Sequence, residues 1–150
     1  MGDISEHFSR RDFTCRCGKC QNEFKTSLTL IGVLELVRTH FNKRVEIMVG
    51  HHCEEENARL GGVKKSYHVL GKAARIIVSD TPPEEVFRFI ERIPQVQGLA
   101  LDPVKKQVYL DVRDKAPHKW VIEGLHDLEL TPEVRTKYNL GEPQEQLAAY

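Results

Sequence analysis

Three closely spaced cysteines carry the clearest chemistry in this chain. Cys15, Cys17 and Cys20 form a C-x-C-x-x-C cluster around Gly18. Such tight spacing is typical of metal-binding knuckles, in which thiolates hold zinc. Cys53 is the fourth and last cysteine, so a structural site with four thiolates would use them all, and a histidine is an alternative fourth ligand. A disulfide, which export would favour, and free thiols, which a reducing compartment would favour, are the other interpretations.

A second group of metal-ligand types lies between residues 51 and 68. His51, His52 and Cys53 stand together before three glutamates at residues 54–56, and His68 follows. Imidazole and thiolate suit zinc, so this group could build a metal site. Neighbouring residues on a strand point to opposite faces, however. We therefore expect His51 at the surface and His52 in a binding cleft, rather than both at one metal.

Length and charge restrict the class of protein. The chain has 150 residues, which is enough for one domain with a hydrophobic core. Its 22 basic and 22 acidic residues balance, which argues against nucleic acid or an anionic membrane as partner. The first residues contain no apolar stretch of the kind found in a secretory signal or a membrane span. We expect a cytoplasmic protein as the sequence is written, with association with a phage or virion as the alternative.

Periodicity and turn residues predict the elements that must position these groups. Apolar residues at helical spacing predict helices at residues 27–41, 54–60, 80–93 and from 131 onward. Strands are predicted at residues 8–14, 45–49 and 73–78 and, as a hairpin around 102–106, at 98–101 and 107–112. This order indicates an α+β domain, a small antiparallel sheet with helices on one face.

Four stretches, in the right order, resemble one family. Residues 66–75, SYHVLGKAAR, resemble its metal motif S-x-H-x-x-G-x-A-x-D. Residues 4–15 are similar to its opening S-x-x-F-x-x-x-E-F-x-C, and residues 57–66 to its N-x-x-x-G-G-x-x-x-S run. Residues 108–113, followed by Trp120, are similar to its closing H-x-D-x-R strand. Over about residues 4–120 the chain thus resembles the zinc D-Ala-D-Ala peptidase family, peptidase family M15, in its small phage and bacterial form.

The resemblance implies the fold shared by hedgehog signalling domains and D-Ala-D-Ala peptidases, with a zinc cleft above the sheet. In active members two histidines and one aspartate hold the metal and leave one position for water. At the matching positions this chain retains His68 but has Arg75 for the aspartate and Tyr109 for the last histidine. Asp111 and Arg113 match the family pattern. His68 is therefore the sole inherited metal ligand.

These departures predict a cleft without catalytic zinc. A guanidinium has only donors and a permanent positive charge, so Arg75 would repel a metal. We expect it to pair with Asp111, because a buried charge needs a partner. Asp111 is also the best remaining candidate for a general base. The predicted ligand-binding cleft consists of His52, Ser66, His68, Arg75, Tyr109, Asp111 and Arg113.

The function that follows from the resemblance is that of a degenerate peptidase domain with a binding or structural role, such as recognition of a peptide or of a peptidoglycan stem peptide. One alternative is an active zinc-dependent D-Ala-D-Ala carboxypeptidase or endopeptidase whose metal is rebuilt from His68, His52 and Asp111 or from cysteine. The other is a phage or virion assembly component that binds a protein partner. We expect no cofactor in the inherited cleft and a structural zinc as the one cofactor candidate. The peptidase-like domain is predicted at residues 1–128, with a partly disordered extension at 129–150.

Overall fold

A computed structural model describes residues 2–21, 23–62 and 66–148, and residues 63–65 of the glycine-containing run lie outside it. Its helices are α1 (Arg10–Phe13), α2 (Leu28–Phe41), α3 (Glu54–Arg59), α4 (Pro83–Ile90) and α5 (Pro132–Lys137). Its strands are β1 (Val45–Val49), β2 (Ala73–Val78), β3 (Gly98–Asp102), β4 (Gln107–Asp111), β5 (His118–Glu123) and β6 (His126–Glu129). The predicted α+β class is confirmed.

The strands form one sheet in the order β1-β2-β4-β3-β5-β6. All neighbouring pairs are antiparallel except β3 and β5, which run parallel. The predicted hairpin is confirmed as β3 and β4, which are joined by the turn at residues 103–106. The sheet is larger than predicted because β5 and β6 extend it beyond the hairpin.

One face of the sheet carries the hydrophobic core. Alternate residues of the central strands, such as Ile76, Leu99 and Leu110, point into it and are almost fully buried. Helices α2 and α4 supply the facing side chains, including Leu34 and Phe87. Helix α2 begins where the Ser27 side chain accepts a hydrogen bond from the backbone N–H of Leu30, a normal N-cap. The two longest helices therefore cover this face and leave the other for the site.

The opposite face of the sheet has a floor of small residues. Ala73, Gly98 and Ala100 are buried here, beside larger side chains from the same strands. Because side chains alternate along a strand, this face receives every second residue of β2, β3 and β4. These small residues lie beside the side chains of the candidate site on the same face.

Residues 8–14 do not form the predicted strand, and this prediction is wrong. The segment contains the one-turn helix α1 instead. The Asp12 carboxylate accepts a hydrogen bond from the backbone N–H of Ser9 at 2.7 Å, and the Asp12 N–H donates back to the Ser9 carbonyl at 3.0 Å. This reciprocal capping favours a helical turn over an extended chain.

The segment after the sheet packs along α4 and the turn that follows it. Helix α5 begins at the predicted place, with the Thr131 hydroxyl as its cap. Leu140 is fully buried, and the backbone N–H of Leu147 donates to the Arg92 carbonyl at 2.7 Å. The division at residue 128 and the disorder of the extension stay predictions. Among the described residues, no helix combines the length and apolar character that crossing a membrane requires.

Candidate functional site

The cleft lies on the sheet face opposite α2 and α4, and strand register brings its side chains together. Arg75 on β2 is directly opposite Tyr109 on β4, and Ala73 is opposite Asp111. Ala100 on β3 is in turn opposite Tyr109. Directly opposite residues share a face of the sheet. Arg75, Tyr109 and Asp111 therefore line one surface, as the sequence predicted.

Asp111 is the most enclosed charge of the cleft, and its partners are Arg113 and Tyr109. Its side chain is fully buried. One oxygen, Oδ2, accepts from Tyr109 Oη at 2.7 Å and from Arg113 Nη2 at 2.6 Å. The other, Oδ1, accepts from Arg113 Nε at 2.9 Å and from the Arg113 backbone N–H at 3.2 Å. Gly98 lies against this carboxylate, since a Cβ there would be 2.1 Å from Oδ2.

The predicted ion pair between Arg75 and Asp111 is wrong. Arg75 Nη1 donates to Asp102 Oδ2 at 3.0 Å and to Gln107 Oε1 at 3.5 Å. Asp102 ends β3 and Gln107 begins β4, so both acceptors lie at the hairpin end of the sheet, away from Asp111. The physical reason is that Arg113, only two residues from Asp111, already makes three hydrogen bonds to that carboxylate. Asp102 is a site residue that the sequence analysis missed.

Arg75 keeps two donor groups free. Within the part of the chain that the structure describes, its hydrogen bonds all involve Nη1, which leaves Nε and Nη2 without an acceptor. Its side chain is 21% exposed. A guanidinium of this kind can bind a carboxylate with two charge-assisted hydrogen bonds.

His68 lies in the turn between α3 and β2, with its ring orientation fixed. Its Nδ1 is 2.9 Å from the Gly50 carbonyl oxygen. Because a carbonyl can only accept, Nδ1 carries the proton and Nε2 presents a lone pair. Burial lowers the pKa of His68 to about 4, and the positive charge of Arg75 acts in the same direction. The imidazole is therefore neutral at physiological pH.

Of the two adjacent histidines, His52 lies where it was expected and His51 does not. The His52 ring is half-buried and lies 5.1 Å from the His68 ring, centroid to centroid, which places it in the cleft. His51, predicted at the surface, is buried, and this part of the prediction is wrong. Its backbone N–H donates to the Phe13 carbonyl at 2.8 Å, and its Nδ1 is 3.1 Å from the His68 carbonyl oxygen. The α1 segment covers His51 because it folds back onto the end of β1.

Ser66 and Tyr67 form the start of the turn that carries His68. The Ser66 hydroxyl donates to Asn57 Oδ1 at 2.9 Å and accepts from the Val69 N–H at 3.4 Å. Ser66 is therefore occupied in holding this turn against α3. The Tyr67 ring packs on the Arg113 guanidinium, with Cζ 4.4 Å from the ring centroid, a cation–π contact.

A row of rings crosses the cleft face. The Tyr109 ring is 5.6 Å from His68 and 5.4 Å from Trp120, and Trp120 stacks on His118 at 4.4 Å. Strand β5 supplies Trp120 and His118, because its parallel pairing with β3 places them opposite Ala100 and Gly98. The stacking of His118 on Trp120 was not predicted, because residues 118–123 show no clear strand pattern in the sequence.

The four cysteines come together at the other side of the loop that carries His52. The sulfur atoms of Cys15, Cys17, Cys20 and Cys53 all lie within 4.8 Å of one another. All four are free thiols. Within residues 2–21, 23–62 and 66–148, this is the one group of three or more His, Cys, Asp or Glu whose ligand atoms converge closely enough for a single ion. The cluster predicted from spacing therefore forms and can bind a metal.

The cleft offers a poor ligand set for zinc at the positions the family uses. His68 supplies an imidazole nitrogen, but Arg75 supplies only donors, and the Tyr109 hydroxyl donates to Asp111. Burial and the Asp111 carboxylate raise the pKa of Tyr109 far above its usual range, so the phenol keeps its proton. A catalytic zinc takes three protein ligands. The residues present do not fit that ion.

Comparison with known proteins places the chain in a family. The family described as Peptidase M15 matches residues 6–111, which is most of the chain and includes the cleft strands β2, β3 and β4. No curated protein matches the chain at a significant level. The match also covers all four cysteines, His52 and His68. On this match and the motifs above, the chain belongs to the Peptidase M15 family.

Proposed function

We propose that this domain binds the carboxylate end of a peptide in the inherited cleft and does not hydrolyse it with zinc. We also propose that the domain has the fold shared by hedgehog domains and D-Ala-D-Ala peptidases. A peptidoglycan stem peptide is the proposed ligand class, by analogy with the family, since fold alone does not determine function.

Arg75 carries the proposal. It stands where the family motif has a metal-binding aspartate, on the floor of the cleft, and its Nε and Nη2 have no acceptor among the described residues. In a zinc peptidase the metal polarises substrate oxygen atoms. A guanidinium can hold such oxygens, but it generates no hydroxide nucleophile from water. The replacement therefore favours binding without cleavage.

The other charges of the cleft are paired, which favours a peptide ligand that is uncharged except for its terminal carboxylate. Asp111 is neutralised by Arg113, and Asp102 by Arg75, so neither carboxylate stands unpaired against a ligand carboxylate. The neutral His68 presents Nε2, which can accept a peptide N–H. Trp120, which packs against the buried Tyr109 ring, adds apolar ring surface beside these groups.

The first alternative, an active zinc peptidase rebuilt from His68, His52 and Asp111, has less support. Both oxygens of Asp111 already accept two hydrogen bonds each, including those from a guanidinium. A general base also needs a free lone pair directed at its substrate. The only cofactor we propose is a structural zinc at the four cysteines, where it would take no part in chemistry in the cleft.

The second alternative is a phage or virion component that binds a protein partner through residues 129–150. Loss of partner binding on deletion of these residues, with the cleft intact, would favour it. Because Leu140 is fully buried, a shorter deletion that begins at residue 141 keeps this core contact. We propose no nucleic acid or membrane as partner, and the compartment follows from the partner that is found.

Calorimetric titration with a peptide ending in D-Ala-D-Ala tests the proposal. We expect the free-acid peptide to bind and the C-terminal amide to bind about ten- to a hundredfold more weakly, since a hydrogen bond to a charged group contributes roughly 1.5–3 kcal/mol. Arg75→Met should weaken binding of the acid by a similar factor. Arg38→Met on α2, beyond the opposite face of the sheet, is the matched control and should change nothing. Equal affinity for acid and amide would reject the proposal, and cleavage of the peptide would establish the enzyme instead.

A further inference from the structure

The four cysteine sulfurs lie close enough together to bind a single ion. Cys17 Sγ and Cys53 Sγ are 3.8 Å apart. A tetrahedron of sulfurs with metal–sulfur bonds of about 2.3 Å has edges of about 3.8 Å. A disulfide bond, by contrast, is only about 2.05 Å long. The Cys17–Cys53 separation thus matches the edge of a tetrathiolate site rather than a disulfide, and the other sulfurs lie within 4.8 Å.

Backbone N–H groups point at three of the four sulfurs. The N–H of Lys19 donates to Cys17 Sγ at 3.3 Å, that of Glu23 to Cys20 Sγ at 3.4 Å, and that of Glu56 to Cys53 Sγ at 3.4 Å. Hydrogen bonds to the charged form of a ligand stabilise it, and such partners orient metal ligands. The donors therefore suit thiolates that carry a share of negative charge, as metal-bound sulfurs do.

The turns between the cysteines have the backbone conformation that these bonds require. Gly18, directly after Cys17, has φ +78°, and Gln21, directly after Cys20, has φ +60°. A positive φ is rare for a residue with a side chain and is uncommon enough to need a reason. Gly18 directly precedes Lys19, whose N–H donates to Cys17 Sγ, and Gln21 lies two residues before Glu23, whose N–H donates to Cys20 Sγ. Each of the last two cysteines of the C-x-C-x-x-C run is thus followed by a left-handed residue.

From these observations we infer that Cys15, Cys17, Cys20 and Cys53 hold one structural Zn²⁺. Soft thiolates select zinc or iron among the common metals, and a set of four sulfurs closes the coordination sphere without leaving a position for water. The ion is therefore structural rather than catalytic.

The same ion would brace the wall of the cleft, and this second part rests on the proposed function. Cys53 directly follows His52 and caps α3, whose Asn57 holds Ser66. On the other side, the cysteine loop continues from α1, which bonds to His51. Zinc would join the two segments at the point where the chain turns from β1 into the cleft. Removal of the metal should therefore free the loop that presents His52 while leaving the sheet folded.

Metal content and the spectrum of the cobalt-substituted protein test the site itself. Protein prepared with reductant and without chelator should contain one zinc per chain, and Co²⁺ in its place should give the charge-transfer bands of a tetrahedral tetrathiolate. Cys17→Ser and Cys53→Ser should lose the zinc, whereas His52→Ala and His68→Ala should keep it. Four titratable thiols with no metal in the unaltered protein would overturn the inference, whether or not the variants fold. Zinc that survives both cysteine changes but is lost in His68→Ala would also overturn it.

Hydrogen exchange of the same protein before and after chelation tests the bracing role. We expect amides of residues 14–23 and 50–57 to lose protection on removal of zinc, while those of β2, β3 and β4 keep it. Unchanged protection in the first two segments would refute the bracing role. Peptide affinity is measured separately on the zinc-loaded protein, so that failure to bind peptide bears on the proposed function and not on the zinc.

Discussion

The pair formed by Asp111 and Arg113 gives the sharpest energetic prediction. Asp111 is fully buried and Arg113 is 14% exposed. Replacement of Arg113 by Met keeps much of the aliphatic stem but removes two of the four hydrogen bonds to the carboxylate, together with the positive charge that pairs with it.

The expected loss is large because the partner charge stays buried. Breaking such a pair from one side costs about 3–5 kcal/mol. For a domain of this size, about 2–4 °C is lost per kcal/mol, so the melting temperature should fall by roughly 6–20 °C. The Asp111→Asn/Arg113→Met double variant should recover part of the loss, because no unpaired charge remains. A coupling energy of about 2 kcal/mol is expected from the cycle.

Urea unfolding followed by circular dichroism and by Trp120 fluorescence measures the free-energy changes, and a thermal scan by circular dichroism measures the melting temperatures. Zinc should be present throughout, because metal loss during unfolding breaks two-state behaviour. Lys72→Met is the matched control: its partner Asp114 is 87% exposed, and an exposed pair is worth at most about 1 kcal/mol. If Arg113→Met costs no more than Lys72→Met, the pair is not the anchor of the cleft and Asp111 is free for another role.

Three further predictions concern the cleft floor and its former ligands. Gly98→Ala should destabilise the protein in the same unfolding assay, because its Cβ would overlap Asp111 Oδ2, and an unchanged midpoint would contradict the described packing. Burial lowers the pKa of His68 to about 4 from 6.5, so the unfolded chain binds the proton first and stability should fall as pH drops through that window, by about 2 kcal/mol at pH 5. His68→Gln should remove this dependence, and an identical pH profile in the variant would refute it. Arg75→Asp with Tyr109→His should gain a second zinc per chain, and unchanged metal stoichiometry would show a cleft remodelled beyond its ligands.

Sequence patterns predicted the elements that have a clear apolar period. Helix α2, strand β2 and the hairpin of β3 and β4 all lie where the sequence placed them, because one face of each is buried against the core. Strands β5 and β6 were missed for the opposite reason. Residues 126–129 form an edge strand of mostly exposed side chains, so burial imposes no alternation on them. Tertiary pairing with β3 and β5, rather than local preference, makes these residues strands.

The sequence predicted which of these residues lie near one another, but not how they pair, and their role as a site stays a prediction. Spacing identified the cysteine cluster, and the family motif identified Arg75, Tyr109 and Asp111 as neighbours. The side chain of Arg75 is long and flexible, so the sequence does not reveal its direction. In the structure it extends along the sheet to Asp102. A usable signal was present for the other pair, since residues two apart on an extended chain share a face and Asp111 and Arg113 are so spaced.

The central claim, that the cleft binds a peptide carboxylate without cleaving the peptide, is tested most directly by one titration. Zinc-loaded, ¹⁵N-labelled protein is titrated with a free-acid peptide ending in D-Ala-D-Ala, and the same sample is then analysed by mass spectrometry. We predict saturable amide shifts at residues 66–75 and 107–113, with the peptide intact after prolonged incubation. Release of D-Ala, or a titration that leaves those amides unmoved, would contradict the account.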